Sequence, residues 1–80
     1  MISCDLHDYI EIACLYRYEV KIVLKSKVEW VGTAVTVEYD DDKRECLRLA
    51  VDAAECLVVL DTIERMQACQ SNPHFDEVVF

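Results

Sequence analysis

The apolar residues at the start of the chain recur at helical spacing. Across residues 3–17, SCDLHDYIEIACLYR, a projection at about 100° per residue puts Leu6, Tyr9, Ile10, Ala13 and Cys14 on one arc and Asp5, Asp8 and Glu11 on another. This pattern predicts an amphipathic helix with Ser3 or Asp5 as its N-cap and acids in the first turn, where the helix dipole favours them. At Tyr18 the period changes to two. Val20, Ile22 and Leu24 alternate with Glu19, Lys21 and Lys25, which is a strand with one wet face.

The alternation continues after a short turn at Ser26-Lys27. Glu29 to Tyr39 is a long β-branched run interrupted by Gly32, the only glycine, which predicts a bend or bulge within the strand. Asp40-Asp41-Asp42-Lys43-Arg44 reads as a hairpin loop, and Glu45 to Val51 as a strand with Leu47, Leu49 and Val51 inward. Asp52-Ala53-Ala54 turns the chain into Glu55 to Leu60, whose uninterrupted apolar run predicts a central strand covered on both faces. Thr62 to Cys69 contains good helix formers but also fits a strand before Pro73, and of the two the strand is favoured; Val78-Val79-Phe80 either pairs as a final strand segment or stays frayed. The fold class expected is mainly β with one N-terminal α-helix, a small five-stranded antiparallel Sm-like (SH3-like) barrel. Residues 1–80 would form one domain, with the helix at 3–17 and the barrel at 18–80.

Charge narrows the function. Sixteen acidic against eight basic residues give a net charge of −8, a field that repels phosphate backbones and attracts basic surfaces. Five cysteines, an odd number, with no C-x-x-C pair and no secretory pattern before them, are expected as reduced thiols in a cytoplasmic protein. The longest apolar run, Cys56 to Leu60, is far short of the roughly 20 residues of a membrane helix.

The inventory for catalysis is poor. His7 and His74 are the only imidazoles, and a single glycine excludes a P-loop or a dinucleotide fingerprint, so no enzymatic activity, cofactor or metal is expected. Asp40, Asp41 and Asp42 lack the ligand spacing of a calcium loop and read as a solvated hairpin tip. An RNA-binding module would have to use Lys21 and Lys25 with Trp30, Tyr18 and Tyr39, among many acids. On the helix, Asp5, Asp8 and Glu11 recur every third residue on one exposed arc, either as a plain solvated face or as a row of carboxylates for a basic partner.

The segment Cys4-Asp5-Leu6-His7-Asp8-Tyr9-Ile10-Glu11-Ile12-Ala13-Cys14 resembles the C-D-x-x-D-x-x-E-x-A-C signature that opens the Rho-binding antiterminator (Rof) family. Weaker likenesses follow in the strand at 18–25, the apolar strand Cys56 to Leu60, the Leu60-Asp61-Thr62-Ile63 step and the closing Glu77-Val78-Val79. The resemblance implies an Sm-like barrel with an N-terminal helix and inhibition of Rho-dependent transcription termination. It implies binding to the N-terminal RNA-binding domain of the Rho hexamer, with Asp8 and Glu11, helped by Asp5 and His7, replacing the phosphates of RNA. Leu6 and His7 stand where family members often have an acid and an aromatic, so this helix carries less charge. Lys43 and Arg44 are further candidate contacts. The free protein is expected to be a monomer that binds neither nucleic acid nor membrane directly. The alternatives are the Sm-like RNA-binding module and an acidic adaptor for another basic protein.

Overall fold

The computed structural model describes residues 4–70, 73 and 76–80, with side chains from Leu6 onward. Helix α1 (Cys4–Leu15) leads into six strands, β1 (Glu19–Leu24), β2 (Glu29–Tyr39), β3 (Glu45–Val51), β4 (Ala54–Val59), β5 (Ile63–Ala68) and β6 (Glu77–Val79), with a 3-10 turn at Leu60–Thr62. All pairings are antiparallel, in the order β4-β3-β2-β1-β5-β6.

The helix is shorter than 3–17 because its last turn closes on a left-handed residue. Arg17 has φ 55°, and the Arg17 and Tyr18 amides donate to the carbonyls of Cys14 (3.2 Å) and Ala13 (2.9 Å). These are the two bonds of a Schellman ending, here built without the usual glycine. Asp5 lies inside the helix and is not its cap; Ser3, the other candidate, is outside the described residues.

Ile10 and Ala13 are fully buried, as the apolar arc predicts, and Leu6, Tyr9 and Cys14 pack around them. They meet Val20 and Ile22 of β1, Ala34 of β2, Leu47 and Leu49 of β3, Val58 of β4, Leu60, and Ile63 and Met66 of β5 in one cluster. Burying each such aliphatic side chain contributes about 1.5–3 kcal/mol before chain entropy is subtracted.

Strand β2 organises the sheet. Its first half pairs with β1, Trp30 opposite Ile22 and Gly32 opposite Val20, and its second half pairs with β3, Thr33 opposite Ala50 through Tyr39 opposite Glu45. The register slips between Ala34 and Thr36, just after the glycine, so the bend and the bulge are adjacent. Gly32 has no positive φ; it is required because a Cβ there would collide with the Ala50 carbonyl oxygen and touch Val51 Cγ2 at 3.0 Å.

Residues 62–69 are the strand expected, as β5, but three expectations are corrected. The sheet has six strands where five were expected, because Glu77–Val79 pairs with β5. It is not a closed barrel: β6 occupies the edge of β5 that closure would offer to β4. The apolar run of β4 is therefore an edge strand and not a doubly covered central one, with Val58 buried and Leu57 41% exposed.

Candidate partner-binding site

The outer face of α1 is set by the same spacing that buries Ile10 and Ala13. Asp8 and Glu11 lie three apart on the side away from the sheet and are exposed, and Leu15 continues their line one turn on. The peptide backbone of Asp5 belongs to this helix, but its side chain is outside the described atoms.

His7 is half-buried beside them. Its Nε2 lies 2.7 Å from Glu45 Oε2, and its Nδ1 lies 3.5 Å from Glu11 Oε1. The imidazole thus bridges the helix to the first residue of β3, which the β2–β3 hairpin returns to this spot. Glu45 was not singled out from the sequence. Thirty-eight positions separate it from His7 and no local pattern links the two.

Asp8, Glu11 and Glu45 therefore surround one imidazole, and among the described residues no Lys or Arg forms an ion pair with any of them. Carboxylates left this way present acceptor oxygens and a negative field to whatever approaches the helix. The ligand atoms of His7, Asp8 and Glu11 lie within 4.8 Å of one another, close enough for a cation to draw them together.

The hairpin loop is arranged differently. Asp40 Oδ1 accepts the amides of Asp42 (2.9 Å) and Arg44 (2.8 Å), and Asp40 Oδ2 receives Arg44 Nε at 2.8 Å. The Arg44 amide, followed by its guanidinium, holds the Asp40 carboxyl below its usual range. Arg44 also reaches Asp42 at 3.5 Å. Its charge is committed to the loop, so of the two candidate contacts there only Lys43, whose φ is 63°, keeps an ammonium without an ion pair among the described residues.

The thiols are held protonated. Burial pushes Cys14 up to about 11, and burial is also the main cause of the upward shifts at Cys46, Cys56 and Cys69. Thiols raised this way are poor nucleophiles and poor metal ligands. His74 falls outside the described residues.

The described structure is thus a short helix, with Asp8 and Glu11 on its outer face, laid across a six-stranded antiparallel sheet. The chain belongs to the family described as modulator of Rho-dependent transcription termination (ROF), whose model matches residues 1–80. Among solved structures it is similar to YaeO bound to magnesium from Vibrio cholerae O395, at 34% identity and a TM-score of 0.89, over 91% of this chain and 95% of that one. No curated protein matches. Membership places the chain among Rho-related transcription modulators, a regulatory and not an enzymatic family. No helix among the described residues is long and apolar enough to cross a membrane.

Proposed function

We propose that the chain inhibits Rho by docking α1 on the primary RNA-binding site of the N-terminal domain of the Rho hexamer, and so favours antitermination. The observation that carries this reading is the acidic cluster: Asp8, Glu11 and Glu45 lie around His7 with no Lys or Arg paired to them among the described residues. A surface that holds RNA offers Lys and Arg to phosphates, and carboxylates at comparable spacing take those same donors in charge-assisted hydrogen bonds. RNA then loses both its seat and its counterion-release gain. His7 is a positioning residue, fixing Glu11 and Glu45 relative to each other, while Asp5 adds charge from the first turn and Lys43 contributes from the loop.

The RNA-binding alternative has less support. Of the two lysines it would use, Lys21 is paired with Glu29 at 3.2 Å and only Lys25 keeps its charge without an ion pair among the described residues. Direct contact with nucleic acid is not part of the mechanism, and the free chain acts in the cytoplasm as a monomer.

The magnesium in the similar structure can be tested against the donors here. A hydrated magnesium ion is commonly held by one or two carboxylates, and Asp8 with Glu11 supplies hard oxygens of that kind. His7 is a poor magnesium ligand and is already engaged by Glu45. An ion held by Asp8 and Glu11 would neutralise the face that Rho requires, competing with docking.

The deciding experiment is displacement of a labelled cytosine-rich RNA from purified Rho. Wild-type chain should displace it, and the double variant Asp8→Lys, Glu11→Lys should not, with an unchanged melting temperature. Binding to Rho without loss of RNA would refute the competitive mechanism. Failure of the folded wild type to bind Rho at all would favour the adaptor alternative.

A further inference from the structure

Beside the acidic cluster, an open groove of about 440 Å³ runs between the end of α1 and the outer half of β2. Its walls are aliphatic at Leu15, Val35 and Val37; Glu11 lines one part and Arg17 another. Glu11 belongs both to this groove and to the carboxylate cluster around His7, so the two surfaces are continuous. Leu15 is 73% exposed, the most exposed large apolar side chain of the described residues, on the same helix line as Asp8 and Glu11.

We infer that this groove receives one arginine side chain of Rho's RNA-binding surface, its aliphatic stem lying along Leu15, Val35 and Val37 and its guanidinium meeting Glu11. The inference rests on the Rho-docking reading and specifies which kind of side chain enters this part of the face.

Three features favour arginine over a purely aliphatic occupant. An arginine has an apolar stem and a charged fork, and the groove has apolar walls with a carboxylate beside them. A simple aliphatic group would strand Glu11 against apolar matter, whereas the guanidinium gives that carboxylate a bidentate partner. Arg17 sets the direction: it lines the groove together with Glu11, so a cation entering is drawn to the carboxylate and repelled by the guanidinium. The exposure of Leu15 is then accounted for, since an apolar residue at the centre of a docking face gains on binding what it forgoes in the free protein.

The test has two arms. In the first, methyl resonances of the full chain are followed during titration with N-acetyl-arginine amide, and separately with the uncharged citrulline analogue and with N-acetyl-leucine amide. Saturable shifts at Leu15, Val35 and Val37 with the arginine probe only, lost in Glu11→Gln, are expected. Equal shifts with the leucine or citrulline probe, or none with any, overturn the inference.

In the second arm, Leu15→Ser is expected to weaken binding to the Rho hexamer about tenfold without moving the melting temperature, a loss of about 1.4 kcal/mol. If charge reversal at Asp8 and Glu11 abolishes Rho binding while Leu15→Ser leaves it unchanged, the groove assignment falls and the docking reading stands. If the folded wild type does not bind Rho, both fall.

Discussion

The chain has two acidic regions that look alike in composition and differ in what the fold does with them. In the loop Asp40–Arg44, three aspartates meet a lysine and an arginine, and Asp40 and Arg44 are engaged locally: Asp40 holds two backbone amides and the Arg44 guanidinium, which also reaches Asp42. On α1, Asp8 and Glu11 stand beside an imidazole whose other partner is a further carboxylate, Glu45. The loop's acids build a turn. The helix's acids do little for the fold: Asp8 and Glu11 lie beyond the first turn of α1, where the favourable interaction with the helix dipole has faded. Acid that serves its own backbone is structural; acid left without a cation is available to a partner.

The most severe way to break this comparison is to remove the support shared by both regions. Strand β2 packs against α1 and carries the loop at its end, and it lies close to β3 only because Gly32 has no side chain. Gly32→Ala should cost about 3 kcal/mol, since the obstacle is a backbone carbonyl that cannot rotate away. Chemical denaturation should show a midpoint close to zero denaturant or an unfolded chain. A midpoint within experimental error of the wild type would mean that β3 can retreat from Gly32 at little cost.

The next largest effect separates the regions. The double variant Asp8→Lys, Glu11→Lys should weaken Rho binding at least 100-fold, about 2.7 kcal/mol or more, while its melting temperature stays within about 4 °C of wild type. Asp40→Ala should do the reverse, leaving RNA displacement intact and lowering thermal stability. Its pH dependence follows from the depressed carboxyl of Asp40. A carboxylate whose pKa is lowered on folding adds stability at pH values above its unfolded pKa, and that contribution disappears as pH falls through the lower folded value. Wild type should therefore lose melting temperature more steeply than Asp40→Ala below about pH 4. Parallel acid limbs would show that Asp40 contributes nothing through its charge.

Legibility from sequence followed the distance over which each feature is decided. Helix α1 and the bend at Gly32 were readable because spacing within a dozen residues determines them. The strand at residues 63–68 was only half readable, because its good helix formers leave helix and strand open and pairing with β1 and β6 decides between them. The run Cys56 to Leu60 misled because apolar density says that a strand is partly buried, but not whether a neighbour lies on both sides. Leu57 is apolar, on an edge, and 41% exposed. The site was legible only on the helix. Glu45 reaches His7 through the β2–β3 register, and the pairing of Arg44 with Asp40 is hidden in sequence as one more acid-base mixture.

A smaller effect isolates the part of the cluster that local sequence could not reveal. Glu45→Ala removes the 2.7 Å partner of His7 and frees the imidazole to turn toward Glu11. The helix acids remain, so Rho binding should weaken only about fivefold, about 1 kcal/mol. A loss as large as that of the double helix variant would make Glu45 a direct contact instead of a residue that positions others.

The smallest expected effect concerns the competing cation. If Asp8 and Glu11 hold hydrated magnesium, then magnesium at a concentration equal to its dissociation constant halves the fraction of chain available to Rho. The comparison must be made without nucleotide and against sodium at equal ionic strength, because screening weakens any acidic docking face. A twofold loss specific to magnesium, absent in Asp8→Asn with Glu11→Gln, would place the ion and the partner on the same oxygens. Identical loss with both salts would mean that the helix acids answer only to the general field, and that the similarity to a magnesium-bound relative does not extend to an ion at this face.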